Sequence, residues 1–266
     1  MAQQDIDPDR VSIRVDNHVA DVRFTRAIKR NALDHAQFSA IAAAIESIAA
    51  MPAVRCVVLS GEGKGFCAGV DLDGLAGNPA MRDLMPRTHG AANLFQQVAW
   101  GWRTLPVPVI AAVHGFAFGA GFQLMLGADI RIATADAQLS MMEARWGLAP
   151  DVAGIALMRG LVRDDIAREI TYTARRMSGT EAQALGIVTH VDADPHGRAM
   201  ALAAQIAANS PEAVRAGKRL LNLAIETPGE AILMAESREQ QVLLASAGHR
   251  ETIAAAQENR APVFSD

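Results

Sequence analysis

Little in this chain could staple or anchor it from outside. Only two of its 266 residues are cysteines, Cys56 and Cys67, too few for the disulfide framework of a small secreted domain. Neither sign of charge dominates: 25 Lys and Arg stand against 29 Asp and Glu, for a formal net charge of -4. The basic residues are scattered, so no cationic stripe could track a phosphate backbone, and no nucleic-acid partner is expected. A composition of 50% hydrophobic and 20% charged residues also excludes a disordered chain. The opening MAQQDIDPDR lacks the basic start and apolar run of a signal peptide, which together with the two cysteines points to a reducing, cytoplasmic setting. His, Cys and acidic residues nowhere adopt the spacing of metal ligands.

A chain of this length buries roughly three-quarters of its unfolded surface and needs neither disulfide nor metal to fold. The longest stretch without charge runs from Thr104 to Ala128, more than a bilayer span requires, but it contains Pro106, Pro108, His114, Gln123 and four glycines. A buried strand, a tight turn and a buried helix joined end to end account for that mixture, and no membrane association is expected.

Residues 11–24 alternate Val11, Ile13 and Val15 with Ala20, Val22 and Phe24 about an Asp16-Asn17 turn, the pattern of a hairpin. Asp34 and Gln37 make a capping box for a helix whose Phe38, Ile41, Ile45 and Ile48 recur at helical spacing until Pro52. Val54–Ser60 is a β-branched strand, residues 73–90 a loop with short helical pieces, residues 91–103 a helix and Val107–Val113 a second buried strand. His114–Gly121 reads as a turn, Phe122–Leu126 as the start of a helix, and DIRIAT as another strand. Thr180 and Gln183 are placed at the cap of a short helix ended by Gly186, before the strand IVTHVD. Beyond residue 195 the strand signal ends, and Ser210-Pro211 opens one of two or three amphipathic helices. The expected division is an α/β unit over 1–195 and a helical region over 196–266.

Gly61, Gly63 and Gly65 suggest a phosphate loop, yet neither the dinucleotide spacing nor the Lys-Ser/Thr ending is present. Two turns of similar make-up carry a sharper signal: Phe66-Cys67-Ala68-Gly69-Val70-Asp71-Leu72 and Gly115-Phe116-Ala117-Phe118-Gly119-Ala120-Gly121. Small residues at two separate strand ends allow two backbone N–H groups to converge on one oxygen, which is the construction of an oxyanion hole.

These turns, together with RAIKRNAL (26–33), PVIAAVHGFAFGAGFQL, EARWGLAP (143–150) and SGTEAQALGIVTHV, resemble the crotonase superfamily, the enoyl-CoA hydratase/isomerase family, over nearly the whole chain. The resemblance implies a superhelix of ββα units with a C-terminal helical region used in assembly, and trimers or pairs of trimers. It implies an acyl-CoA thioester substrate and no cofactor beyond the CoA moiety. The oxyanion donors it implies are the N–H groups of Val70 and Ala120. The second is commonly glycine in the family, so Ala120 requires a backbone that avoids positive φ. Substrate-facing positions carried over are Arg26, Lys29, Ala32, Ala68, Gly69, Asp71, Leu72, Phe116, Gly119 and Pro150, with Arg26, Lys29 or Arg30 near the CoA phosphates.

Hydratases of this family use two glutamates. The first position is Gln123 here, an amide that can orient water or a thioester but cannot act as a general base. The second is Glu143. Asp151 follows at the Glu-to-Asp interval of the dienoyl-CoA isomerases, and a helix N-cap before VAGIALM is the lesser alternative for it. The expected chemistry is double-bond migration, with Glu143 as principal acid/base and Asp151 as second carboxylate. Hydration through Glu143 with water held by Gln123 is the alternative, and an inactive acyl-CoA-binding module is an alternative of another class. His114 reads as a structural histidine and Cys67 as a packed thiol. Met85, Phe95, Met141, Met142 and Trp146 are candidates for an acyl pocket or for plain core.

Overall fold

The structure is a computed structural model that describes residues 7–225 and 227–265, with residues 75 and 76 described by their backbone alone. Its first elements are the expected hairpin, β1 (Val11–Asp16) antiparallel to β2 (Val19–Phe24). The reversal falls one residue later than expected, on Asn17 and His18, whose φ of 46° and 65° give the paired left-handed turn that suits a twisted hairpin. In α1 (His35–Ala49), Asp34 accepts from the Gln37 N–H as the sequence suggests. The Gln37 amide does not reciprocate and donates instead to the Arg10 carbonyl at 2.9 Å.

The chain continues through β3 (Cys56–Gly61), α2 (Leu72–Gly77), α3 (Leu94–Thr104), β4 (Val109–Val113), β5 (Phe116–Phe118), α4 (Ala120–Leu126), β6 (Ile130–Ala133) and β7 (Gln138–Ser140). Then follow α5 (Gly154–Met158), α6 (Asp164–Thr173), β8 (Met177–Ser178), α7 (Gly179–Ala184), β9 (His190–Val191), α8 (Pro195–Ala207), α9 (Pro211–Ala224), α10 (Gly229–Leu244) and α11 (Ala247–Gln257). One sheet has the order β1-β2-β3-β4-β6-β9, parallel except for β1, and a second has the order β5-β7-β8. The 114–121 segment is therefore more than a turn, because it contributes β5 to the second sheet. The cap of α7 is Ser178, which accepts from the Glu181 N–H at 3.1 Å, rather than Thr180. The charge-free stretch divides among β4, β5 and α4, and among the described residues no helix is long and apolar enough to cross a membrane.

Strand alternation sorts the core onto two faces. Val57, Leu59, Val109, Ala111 and Val113 join the main core with α1, α3 and α4, while Cys56, Val58, Ile110, Ala112 and Ile132 face the other way. There α8 covers them with Ala199, Ala203 and Ala207, a four-residue repeat of small side chains that seats the helix close to the sheet. Among the described residues four helices, not two or three, follow residue 194. The buried Lys218 of α9 donates to the Trp102 and Val107 carbonyls at 3.1 and 2.8 Å and pairs with Asp129 at 2.8 Å, fixing that helix to its own sheet. By contrast α10 buries none of its residues and exposes Leu233, Met234, Val242 and Leu244.

The exit of β3 is pinned by one side chain. Asn31 is fully buried with φ of 55°, and its Nδ2 donates to the carbonyls of Glu62, Gly65 and Phe66 at 3.0, 3.0 and 3.1 Å. Its own carbonyl accepts from the Cys67 thiol at 3.1 Å, and burial pushes that thiol's pKa up to about 12, so Cys67 is packed and unreactive. Asn31→Ala would leave three carbonyls without this donor and a Cβ-bearing residue that is poorer than Asn at positive φ. The expected loss is about 2–4 kcal/mol in chemical denaturation, from the cost of unsatisfied buried polar groups. An unchanged unfolding midpoint would show that the loop holds itself.

Candidate active site

The turn after β3 is held between two neighbours. Cys67 bridges Ala117 on one side, with the Cys67 N–H donating to the Phe116 carbonyl and the Phe118 N–H to the Cys67 carbonyl. On the other, Leu33 bridges Val70: the Leu33 N–H donates to the Gly69 carbonyl and the Asp71 N–H to the Leu33 carbonyl. This register points the Val70 N–H away from Leu33. The turn abuts the one before α4 so closely that a Cβ on Gly69, at φ 93°, would lie 2.7 Å from the Phe118 carbonyl oxygen and 3.7 Å from the Ala120 nitrogen. A Cβ on Gly121 would lie 2.5 Å from the Cys67 carbonyl oxygen. The two glycines thus permit the contact that sets the Val70 and Ala120 amides on adjoining turns.

Ala120 meets the condition its side chain imposes. The positive φ falls on Gly119 (52°), the N-cap of α4, and Ala120 is the first helical residue, whose N–H has no acceptor within the helix. Among the described residues no backbone carbonyl accepts from the Val70 or the Ala120 N–H.

Glu143 opens a short 3-10 helix over Glu143–Trp146 and is buried at 7% exposure. Its Oε1 accepts from Gln123 Nε2 at 2.5 Å and lies 3.3 Å from where a Cβ on Gly119 would stand, so the carboxyl is beside the turn that opens α4. Its Oε2 is buried with no hydrogen-bond partner among the described residues. Burial raises the Glu143 pKa, and the negative charge of Asp151 adds to the rise. Asp151 lies on the segment leading to α5. It is exposed, yet desolvation of its carboxyl by crowding neighbours also raises its pKa. It does not cap α5, which begins at Gly154 after Ala153 with no side-chain cap.

The structure therefore brings Val70, Ala120, Gly119, Glu143, Gln123 and Asp151 to one region. Gln123 faces the protein and has no exposed surface, so it is not placed to hold water or thioester. Arg26 and Asp71 engage each other: Arg26 pairs with Asp71 at 2.8 Å and Asp34 at 3.0 Å and donates to the Ala32 carbonyl at 2.8 Å. Burial alone would raise the Asp71 pKa, but hydrogen bonds from Arg26 and the Gly74 N–H, with the Arg26 charge, outweigh it and hold the carboxyl below its ordinary value. Lys29 is half exposed, 3.7 Å from Asp73, and Arg30 is exposed. Leu72 is exposed, Ala32, Ala68, Phe116 and Pro150 are half-buried, and Gly69 is enclosed. His114 hydrogen-bonds the Gly63 carbonyl at 3.0 Å, as a structural histidine would. Of the acyl-pocket candidates, Met141 and Phe95 belong to the core, Met142 is half-buried, and Trp146 and Met85 are exposed.

Two residues outside the sequence-derived set shape this region. Asn31 could have been suspected, since Asn tolerates left-handed backbone at low cost. Gly154 carries no such mark: a Cβ there would stand 2.6 Å from Gln123 Cγ, a clash visible only in three dimensions.

Comparison with known proteins agrees with the geometry. The enoyl-CoA hydratase/isomerase family model matches residues 14–266. YngF of Bacillus subtilis, an enoyl-CoA hydratase/isomerase by name, is 34% identical over 250 residues, covering 93% of this chain and 94% of that protein. The mitochondrial Delta(3,5)-Delta(2,4)-dienoyl-CoA isomerase of Mus musculus is 34% identical over 219 residues, 76% of this chain and 64% of that one. The crystal structure of enoyl-CoA hydratase from Bacillus anthracis superposes with a TM-score of 0.87 at 30% identity, over 96% of this chain and 98% of the other. The chain belongs to the enoyl-CoA hydratase/isomerase family and has the crotonase fold.

Proposed function

We propose that this enzyme moves a carbon–carbon double bond within an unsaturated acyl-CoA thioester, with no cofactor beyond the CoA of its substrate. The observation that carries the reading is the Glu143 carboxyl: buried beside the Ala120 turn, held by Gln123 through Oε1, and without a hydrogen-bond partner at Oε2 among the described residues. With the thioester oxygen against the Val70 and Ala120 N–H groups, loss of the α-proton to a carboxylate builds negative charge on that oxygen, and the two fixed donors stabilise the enolate. The proton returns at a carbon farther along the acyl chain, so atoms balance and only the double bond shifts. Glu143 is the principal acid/base and Asp151 the second carboxylate. Their raised pKa values bring acid and base forms closer in energy near neutral pH, which suits groups that both take and return protons. With Arg26 tied to Asp34 and Asp71, Lys29 and Arg30 are the cations open to the CoA phosphates.

Ala120→Pro tests the oxyanion hole, because proline is favoured at the first position of a helix and replaces the N–H by a ring methylene. The helix should survive, and turnover should fall by about a hundred- to a thousandfold or more. A folded variant that keeps its turnover would reject the assignment.

Glu143→Gln should suppress isomerisation of 3-enoyl- and 3,5-dienoyl-CoA by roughly a hundred- to ten-thousandfold, and Asp151→Asn should suppress the dienoyl reaction. Because the Glu143 pKa lies above 4.5, the base form appears only as pH rises past the ordinary glutamate range, so kcat/KM should fall on the acid side above that range. Asp151 contributes to the rise, so Asp151→Asn should move this limb to lower pH. The stability linked to a raised carboxyl is present below the ordinary pKa and lost as pH rises through the folded value. Glu143→Gln should therefore raise the thermal midpoint at pH 7 and not at pH 4. Water addition to 2-enoyl-CoA that outruns every isomerisation would replace the reading with hydration, and acyl-CoA binding without any turnover would replace it with a binding module.

The exposed Leu233, Met234, Val242 and Leu244 of α10 support a homotrimer or a pair of trimers built through the C-terminal helices. Sedimentation at micromolar concentration should show no monomer, and a monomer would rule this assembly out.

A further inference from the structure

Gln123 is wholly enclosed on α4, and both ends of its amide are engaged inside the protein. Its Oε1 accepts from the N–H groups of Val152 and Gly154 at 2.9 and 3.0 Å, while Nε2 donates to Glu143 Oε1 at 2.5 Å. Only a carbonyl oxygen can accept from two N–H groups, so the amide has a single admissible orientation and its donor end must face Glu143. The fit is close on both flanks. A Cβ on Gly154 would stand 2.7 Å from Gln123 Oε1, and one on Gly119 would stand 3.3 Å from Glu143 Oε1.

We infer that Gln123 is a positioning residue that divides the Glu143 carboxyl into an anchored Oε1 and a proton-carrying Oε2, and that ties this carboxyl to the backbone immediately following Asp151. The inference rests on the reading of Glu143 as the acid/base group. A donor permanently facing Oε1 leaves no acceptor there for a proton on that oxygen, so when Glu143 is the acid its proton sits on Oε2. That is the atom without a partner among the described residues. The same amide organises the entry to α5, where the N-cap Ala153 has no side chain to offer and Gln123 Oε1 accepts from the first helical N–H, that of Gly154, and from the Val152 N–H just before it. One side chain thereby fixes both the carboxyl rotamer and the start of the segment that carries the second carboxylate. A carboxylate at position 123 could keep the bonds from Val152 and Gly154, but its other oxygen would meet Glu143 Oε1 at hydrogen-bond distance. Two carboxylates so placed cannot both ionise, and the pair would retain a proton.

The test uses three variants and two readouts. Gln123→Glu keeps the shape and should move the acid limb of kcat/KM upward by at least one pH unit, with at least a tenfold loss of rate at the pH where the unmodified enzyme is half-maximal. Gln123→Met removes the donor that favours ionised Glu143; kcat should fall at least tenfold while KM for the thioester changes less than threefold. Gly154→Ala should reproduce the Gln123→Met effect by displacing the amide without altering it. The second readout needs no turnover: carbon-13 NMR of the glutamate carboxyls, with Glu143 assigned through Glu143→Gln, should show Glu143 titrating higher in Gln123→Met and Gln123→Glu than in the unmodified protein. If Glu143→Gln retains activity, the acid/base reading fails while the NMR titration still decides whether Gln123 holds Glu143. A folded Gln123→Glu with an unmoved acid limb and an unmoved Glu143 titration would overturn the inference. So would water addition by Gln123→Glu at a rate matching the unmodified enzyme's isomerisation, since that places residue 123 against the substrate.

Discussion

The contact between two backbone turns governs this protein. The segment leaving β3 and the segment entering α4 approach so closely that no side chain fits at Gly69 or Gly121, and the bridge between Cys67 and Ala117 locks them in register. Main-chain dipoles held this way need no reorganisation when charge develops in front of them, which is the condition under which a hydrogen-bond donor accelerates a reaction. Everything around the contact maintains it. Asn31 binds three carbonyls of the β3 exit, the Arg26 network ties the Leu33 strand to Asp71, and the second sheet holds β5 against β7.

The carboxyl placed beside that contact is held against its own preference. Burial disfavours its charge, and besides its own backbone N–H the charged form is supported by a side-chain amide that cannot turn away. Asp71, also sheltered, shows the opposite outcome because a guanidinium faces it. The two acids differ in what surrounds them rather than in kind: one faces a guanidinium and the other an uncharged amide. A neutral amide beside Glu143 steadies the group without competing for its proton.

The C-terminal helices divide along similar lines. Burial lowers the Lys218 pKa, yet the ammonium is retained between two carbonyls and Asp129 and clamps α9 to its own sheet. The stripe of alanines on α8 does the same work by close packing against the sheet. The helix that follows α9 is tied to it by the surface pair Arg219–Glu239 at 2.6 Å, buries none of its own residues and presents its apolar side chains outward. Exposed apolar side chains also lie nearer the site, at Trp146, Leu148, Ile155 and Tyr172.

Most of the order of elements, the buried faces of the strands and the two glycine-bearing turns that meet beside Glu143 were legible in the sequence, because they depend on alternation, glycine placement and local capping, all of which act over a few residues. Glu143 and Asp151 stood out as chemical types at a recognisable interval. Other features came from tertiary packing. The Thr180 and Gln37 readings missed because the backbone around a cap depends on what the helix packs against. The caps proved to be Ser178 for α7 and, across thirty-one residues of chain, the Gln123 side-chain carbonyl bonded to Gly154 at the start of α5. The sequence determined that residue 123 is an amide and therefore no base. Only the folded structure decided that this amide faces Glu143 and the 152–154 backbone instead of a substrate, because that choice is made by burial and by donor–acceptor matching between segments far apart in the chain.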